Sequence, residues 1–298
     1  MITLKNIQRR NDMLFVASIV IPVMFLFIVI RYYPLADTLV TSFFRKSMIR
    51  PGQTFIGLEN YNYVLEDPEF IRALGNTAGI AFFSMLFSVI LGLFLASLVN
   101  NASGKYRGMK FFQALIFIPV IVSMVPSTLM WKMLFDYNIG VINYILSVFG
   151  IKGVNWINNE NIVRWPIIII SVWKEMGYNM MIFYVGLKNI PRELFESADI
   201  DGSNRSQKMW YITLPQLKPI TLFICVVSLI KFVKVFTQAF VMTSGSQASG
   251  SIYKTLVYYI YQQGFQLQSM GRASTAAIIL LAIVFLLTWL QMHMAREK

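Results

Sequence analysis

Glu196–Pro215, ESADIDGSNRSQKMWYITLP, is a polar segment with an internal turn, set between two long apolar runs, Trp165–Leu187 and Ile220–Met242. A hydrocarbon core of about 30 Å is crossed by about 20 apolar residues in a helix, so each flanking run has the length of a membrane span. The polar segment then lies outside the bilayer. Working outward, the same pattern recurs, and six spans are expected near Met13–Tyr33, Ala78–Val99, Phe111–Phe135, Trp165–Leu187, Ile220–Met242 and Ala273–Met292. None of these runs alternates with period two, which excludes strands of a barrel, and lipid leaves helices as the remaining way to satisfy the backbone. Pro22, Pro119 and Pro126 predict kinks.

Composition agrees. Of 298 residues, 56% are hydrophobic and 13% charged, against about 25% charged in a soluble domain. The six runs leave little chain for anything else, so residues 1–298 are expected to form one all-α membrane domain. A single Cys225 and a single His293 exclude a disulfide framework or a Cys/His metal cluster built by this chain alone. The net charge of +12 is dispersed between apolar runs, without a basic stripe interleaved with aromatics, which argues against nucleic acid. Lys5, Arg9 and Arg10 ahead of an apolar stretch can be read as a secretory signal. The length of Met13–Ile30, the lack of a small-residue cleavage site and the five spans behind it favour a retained span. No Gly-x-x-x-x-Gly-Lys-Ser/Thr loop occurs: the step Gly104-Lys105 has Val99 in place of the first glycine and Tyr106 in place of the hydroxyl residue. With one histidine and few acids, no catalytic constellation can be assembled.

The charge bias orients the spans. With the amino terminus inside, thirteen lysines and arginines fall in inner segments and eight in outer segments that cover more chain. Both termini are therefore expected in the cytoplasm, together with the loop Lys188–Lys218. Within that loop Pro191 suits a first helical turn, and Leu194, Phe195 and Ala198 make a short apolar face. Asp201-Gly202 reads as a break, and Ser203 as the cap of a second short helix running into Trp210 and Ile212. Pro215 and Pro219 mark the return to the membrane. A helix, a bend and a helix are the expected object, with an ordinary interfacial amphipathic helix as the alternative.

The order Glu196-x-Ala198, Gly202 four residues on, then nine residues and Ile212-x-Leu214-Pro215 resembles the coupling-loop signature of ATP-binding-cassette importer permeases. Phe55–Thr77, FIGLENYNYVLEDPEFIRALGNT, and the phrase IPRELFESADIDGS are similar to the carbohydrate-uptake branch, the maltose and glycerol-phosphate type, and the resemblance runs along essentially the whole chain. It implies a bacterial inner-membrane, multi-pass permease with six transmembrane helices, no catalysis and no cofactor of its own. It also implies a sugar substrate, a second homologous permease, two ATPase subunits that bind ATP and Mg, and an extracytoplasmic solute-binding protein. By the same resemblance Glu196, Ser197, Ala198, Asp201, Gly202, Ile212, Leu214 and Pro215 would couple to an ATPase. Two departures are visible: Thr243-Ser244-Gly245-Ser246-Gln247 stands where such permeases commonly have Thr-x-Gly-Gly-Pro, and Thr237 replaces an acidic residue. The outer loop Pro34–Gly75 is too short for the extra periplasmic domain of the maltose permease.

Ionisable groups inside spans cost about 3 kcal/mol on insertion scales and mark cavities or pathways. Lys174, Glu175, Lys231 and Lys234, with Asn179 and Gln238, are the substrate-path candidates; the bland reading is that the lysines snorkel or pair structurally. Trp173, Tyr178 and Phe236 could stack on sugar rings or simply fill helix interfaces. Tyr253–Phe265 reads as an amphipathic outer helix. A stand-alone secondary transporter using the intramembrane charges for ion coupling is the rival reading, and a convincing internal repeat of the kind such folds carry is absent.

Overall fold

A computed structural model describes residues 2–49, 51–102, 108–243 and 253–296. Arg50, the Gly104-Lys105 step, Arg107, Ser244–Gln247 and Lys298 lie outside the described residues. In chain order the elements begin with α1 (Ile2–Phe27), a π-turn (Ile28–Tyr32), α2 (Tyr33–Thr41), β1 (Phe44–Lys46), β2 (Gln53–Phe55) and α3 (Glu59–Glu66). There follow α4 (Pro68–Ala102), α5 (Met109–Ile121), α6 (Met124–Leu134), α7 (Val141–Val148), α8 (Arg164–Lys188) and α9 (Arg192–Ile200). The remainder is α10 (Arg205–Lys208), a second π-turn (Met209–Thr213), α11 (Leu214–Val233), α12 (Thr237–Thr243), α13 (Leu256–Tyr261), a third π-turn (Gln262–Gln266) and α14 (Met270–Arg296).

Among the described residues four helices are long and apolar enough to cross a membrane: Met13–Thr41, Pro68–Ala102, Arg205–Thr243 and Met270–His293. The pair α5 and α6, bent by 100°, makes a fifth if taken as one span. Helix α8 has 25 residues but carries Lys174, Glu175 and Asn179 in its middle, and it is not in that set. Among the described residues the β-structure consists of the hairpin of β1 and β2, antiparallel with Phe44 opposite Phe55, and a single bridge between Ser47 and Ser269.

Prolines explain where the helices change pitch. Both the first and the second π-turn end two residues before a proline, Pro34 and Pro215. A proline lacks the N–H of the ladder and crowds the carbonyl four residues back, and a widened turn relieves both. At Pro126 the outcome is larger than the kink expected for a single span over Phe111–Phe135. Val122, the residue whose carbonyl Pro126 would crowd, is extended at ψ 138°, and the chain turns there between α5 and α6.

The chain forms two compact units, residues 1–65 with 260–279 and residues 66–259 with 280–298. In the first, apolar side chains from Met13 to Tyr33 are almost all exposed, which is expected of a surface covered by lipid or protein. There Asn60 donates to the carbonyls of Ser42 at 2.9 Å and Phe44 at 3.0 Å, fixing α3 beside the hairpin. In the second unit α8 is central and packs on α4, α5 and α11. Small residues permit that closeness: a Cβ on Gly177 would lie 2.4 Å from the Ile116 carbonyl oxygen, and one on Gly92 2.6 Å from the Asn179 Cβ. Ala96, Val99, Met180, Phe183, Leu187, Ile190, Leu217 and Ile224 form the core at one end of these helices.

Candidate functional site

At that end sits the bend. Pro191 is the cap residue just ahead of α9, and Phe195 and Ile212 pack onto the core around Leu187, Ile190 and Leu217. Ala198 is also buried. Helix α9 ends because Gly202 adopts φ +73°, a conformation that costs an L-residue about 1–2 kcal/mol. The Gly202 N–H donates to the Asp199 carbonyl at 3.2 Å and the Ser203 N–H to the Ala198 carbonyl at 2.9 Å, a Schellman termination. Asn204, not Ser203, caps the second helix. Its Oδ1 accepts from the Gln207 N–H at 2.9 Å while Gln207 Oε1 accepts from the Asn204 N–H at 2.8 Å. The reciprocal box needs a Gln or Glu three residues on, which Asn204 has and Ser203, with Ser206 there, lacks. Lys208 forms an ion pair with Asp199 across the bend.

The second helix is not a separate short one. It runs from Arg205 through the second π-turn into α11 without a break, so the bend is attached directly to a long apolar helix. Of the coupling residues, Ile212 and Leu214 are half-buried, while Glu196, Ser197, Asp201 and Pro215 are exposed. The outer face shows Ile200 at 88% exposure, Tyr211 at 80% and Trp210 at 66%. Three large exposed apolar side chains beside a hydrogen-bonded turn form a patch of the kind that marks a protein or membrane contact.

Farther along α8, five of the six path candidates share one cavity of about 350 Å³: Lys174, Glu175, Lys231, Lys234 and Gln238 line it with Ser171, Phe236 and Thr237. Glu175 accepts a hydrogen bond from Lys231 at 2.5 Å, and the same ammonium stands 4.3 Å from the centre of the Tyr178 ring. Gln238 donates to Ser171 at 3.2 Å. Lys174 does different work: its ammonium donates to the carbonyls of Pro119 at 2.6 Å, Val120 at 3.3 Å and Val122, the groups freed where α5 breaks. A cation at a helix carboxyl end also opposes the helix dipole. Asn179 is fully buried against Gly92 and does not line the cavity. Trp173 packs edge-on against Trp131 at 5.7 Å and lines a separate apolar groove, whereas Phe236 reaches the cavity.

A polar clasp went unrecognised in the sequence. Asp67 accepts from the Glu69 N–H at 2.9 Å and from the Tyr259 hydroxyl at 2.6 Å. The buried Lys254 pairs with Glu69 at 2.6 Å. Asn76 donates to the Lys254 carbonyl at 3.0 Å and accepts from Arg164 at 2.9 Å, and Thr77 accepts the Leu256 N–H at 2.8 Å. Tyr253 donates to the Ile157 carbonyl, and burial pushes its hydroxyl pKa up. The run from Tyr253 is therefore not an amphipathic surface helix: Tyr253, Lys254, Thr255, Leu256, Tyr258 and Tyr259 are all buried, and their polar groups find partners at Asp67 and the start of α4, at the Ile157 carbonyl and at the Val235 carbonyl.

Long apolar helices, an exposed bent segment rooted in one of them and a charged cavity between them are the parts of a membrane transport subunit. The chain belongs to the family of binding-protein-dependent transport system inner membrane components, whose model matches residues 88–297. It is 33% identical over 276 residues, 92% of this chain and 86% of the relative, to the arabinooligosaccharides transport system permease AraP of Bacillus subtilis. To the lactose transport system permease LacF of Rhizobium radiobacter it is 32% identical, covering 99% of this chain and 97% of the relative. Its fold matches, at TM-score 0.84 and 23% identity over 97% of this chain and 96% of the other, a chain of the bacterial alginate ABC transporter solved in complex with an alginate pentasaccharide-bound periplasmic protein. The chain is a membrane permease of an ABC importer and not itself an enzyme. The reading as a stand-alone secondary transporter gains no support.

Proposed function

We propose that this permease carries a sugar or oligosaccharide inward, with its bent segment Arg192–Thr213 as the lever moved by an ATPase. The observation that carries this reading is the bend itself. Phe195, Ala198 and Ile212 anchor it to the core, Gly202 and the Asn204 box fix its angle, and Ile200, Trp210 and Tyr211 face outward. A rigid lever continuous with α11 transmits displacement; a flexible loop would absorb it. The arabinooligosaccharide and lactose systems named among the relatives support a carbohydrate substrate.

In this reading residues 1–298 form one membrane domain of six spans: α1 with α2, α4, α5 with α6, α8, α11 with α12, and α14. Both termini lie in the cytoplasm of a bacterial cell whose inner membrane holds the protein. A second permease completes the path, two ATPase subunits bind ATP and Mg, and a solute-binding protein delivers the sugar from outside. No cofactor is held by this chain. Glu196, Ser197, Ala198, Asp201, Gly202, Ile212, Leu214 and Pro215 belong to the lever, and Glu175, Lys231, Lys234 and Gln238 to the path. Lys174 borders the path but serves it by capping α5, and Asn179 serves α8 packing. Closure of the ATPases shifts the bend, and the cavity alternates between the two sides.

Reconstitution tests the reading. Proteoliposomes with both permeases, the ATPases and the binding protein should accumulate sugar only with ATP. Uptake by this chain alone, or without ATP, would overturn it.

A further inference from the structure

Resting on the cavity as the solute path, we propose that this permease selects oligosaccharides bearing a carboxylate, and that Lys234 is the side chain that reads it. Three lysines border the cavity, and two are committed elsewhere. An ammonium has three donors. Those of Lys174 are taken by the carbonyls of Pro119, Val120 and Val122. The charge of Lys231 is neutralised by Glu175 at 2.5 Å and faces the Tyr178 ring.

Lys234 is different. It stands where the last turn of α11 opens, its N–H bonded to the Lys231 carbonyl at 3.2 Å, and its side chain is exposed at the cavity with no ion pair or side-chain hydrogen bond among the described residues. Among the described residues Glu175 is the one acid lining the cavity, and it is already paired. The cavity therefore carries more positive than negative charge, and Lys234 is the one of its three ammoniums with free donors; around it stand neutral hydrogen-bonding groups on Thr237 and Gln238, and the Phe236 ring. A pyranose carries hydroxyls for the neutral groups and an apolar face for an aromatic ring, and a carboxylate on it pairs with the one ammonium whose donors are free. A phosphate spreads its charge over three acceptor oxygens and is best matched by a guanidinium fork or by several cations with free donors, whereas among the cations lining this cavity Lys234 alone has its donors free. The chemistry fits a uronate.

The test uses the detergent-purified complex of both permeases with the ATPases. Equilibrium retention of digalacturonate is compared with that of its neutral counterpart galactobiose. The native complex should favour the uronate about tenfold, the scale of one charge-assisted hydrogen bond. Lys234→Gln should bring the two within twofold while Lys234→Arg keeps the preference. Added salt should erode uronate retention and leave galactobiose unchanged, a readout that holds even where Lys234→Gln fails to assemble. No preference in the native complex, a preference that survives Lys234→Gln, or one insensitive to salt overturns the proposal. ATPase stimulation by loaded binding protein, measured on the same preparation, reports on the importer reading separately, so either can fail alone.

Discussion

Two helix breaks in this molecule end in opposite ways. At Gly202 the freed carbonyls of α9 are satisfied within a few residues by the Gly202 and Ser203 N–H groups, and the open N–H groups at the start of α10 by the Asn204–Gln207 box, on an exposed surface. At Val122 the carbonyls left open by α5 are taken by Lys174, over fifty residues away on α8. Water tolerates an imperfect end, so a local motif suffices there. In a bilayer an unpaired carbonyl costs far more, and a break persists only where a neighbouring helix supplies a donor.

The contrast can be broken from the Lys174 side first. Lys174→Met should strip the donor from three carbonyls and cost roughly 3 kcal/mol or more, read as loss of folded complex on size exclusion, with Lys174→Arg recovering part. A fully stable Lys174→Met protein would show that the α5 break needs no cap. Gly202→Ala comes next, at about 1–2 kcal/mol for the left-handed backbone. Hydrogen exchange should report the loss as faster opening confined to α9 and α10, and Gly202→Asn should be milder. Asn204→Ala should cost about 1 kcal/mol and speed exchange at the Gln207 N–H, leaving α9 unchanged. Ile200→Ser, at an exposed site, should change stability by less than about 0.5 kcal/mol yet weaken co-isolation of the ATPase.

The same contrast explains what could be read from the chain. Gly202 and the polar run around it announce their own geometry, and the apolar runs announce their helices. The cap at Asn204 was also legible, since Gln207 stands three residues on, but Ser203 looked equivalent without weighing that partner. The α5 break was only half legible: Pro126 signals trouble, while the donor that allows a 100° turn lies on another helix. For the same reason Lys174 reads as a path residue by its cost in lipid, and only its three carbonyls reveal a cap. The buried Tyr253–Tyr259 run looked amphipathic because its partners, Asp67, Glu69, Asn76 and Thr77, sit far away in sequence.

The central claim is that the bend at Gly202 is the point of contact with the motor. Ala198 is buried and unsuitable as a probe, whereas Ile200 and Tyr211 are open, and Cys225 is the single native cysteine. In a Cys225→Ser background, Ile200→Cys should crosslink to the ATPase in at least one nucleotide state of an active transporter. If neither Ile200→Cys nor Tyr211→Cys reaches an ATPase in any nucleotide state while transport persists, the lever is not where force enters this protein.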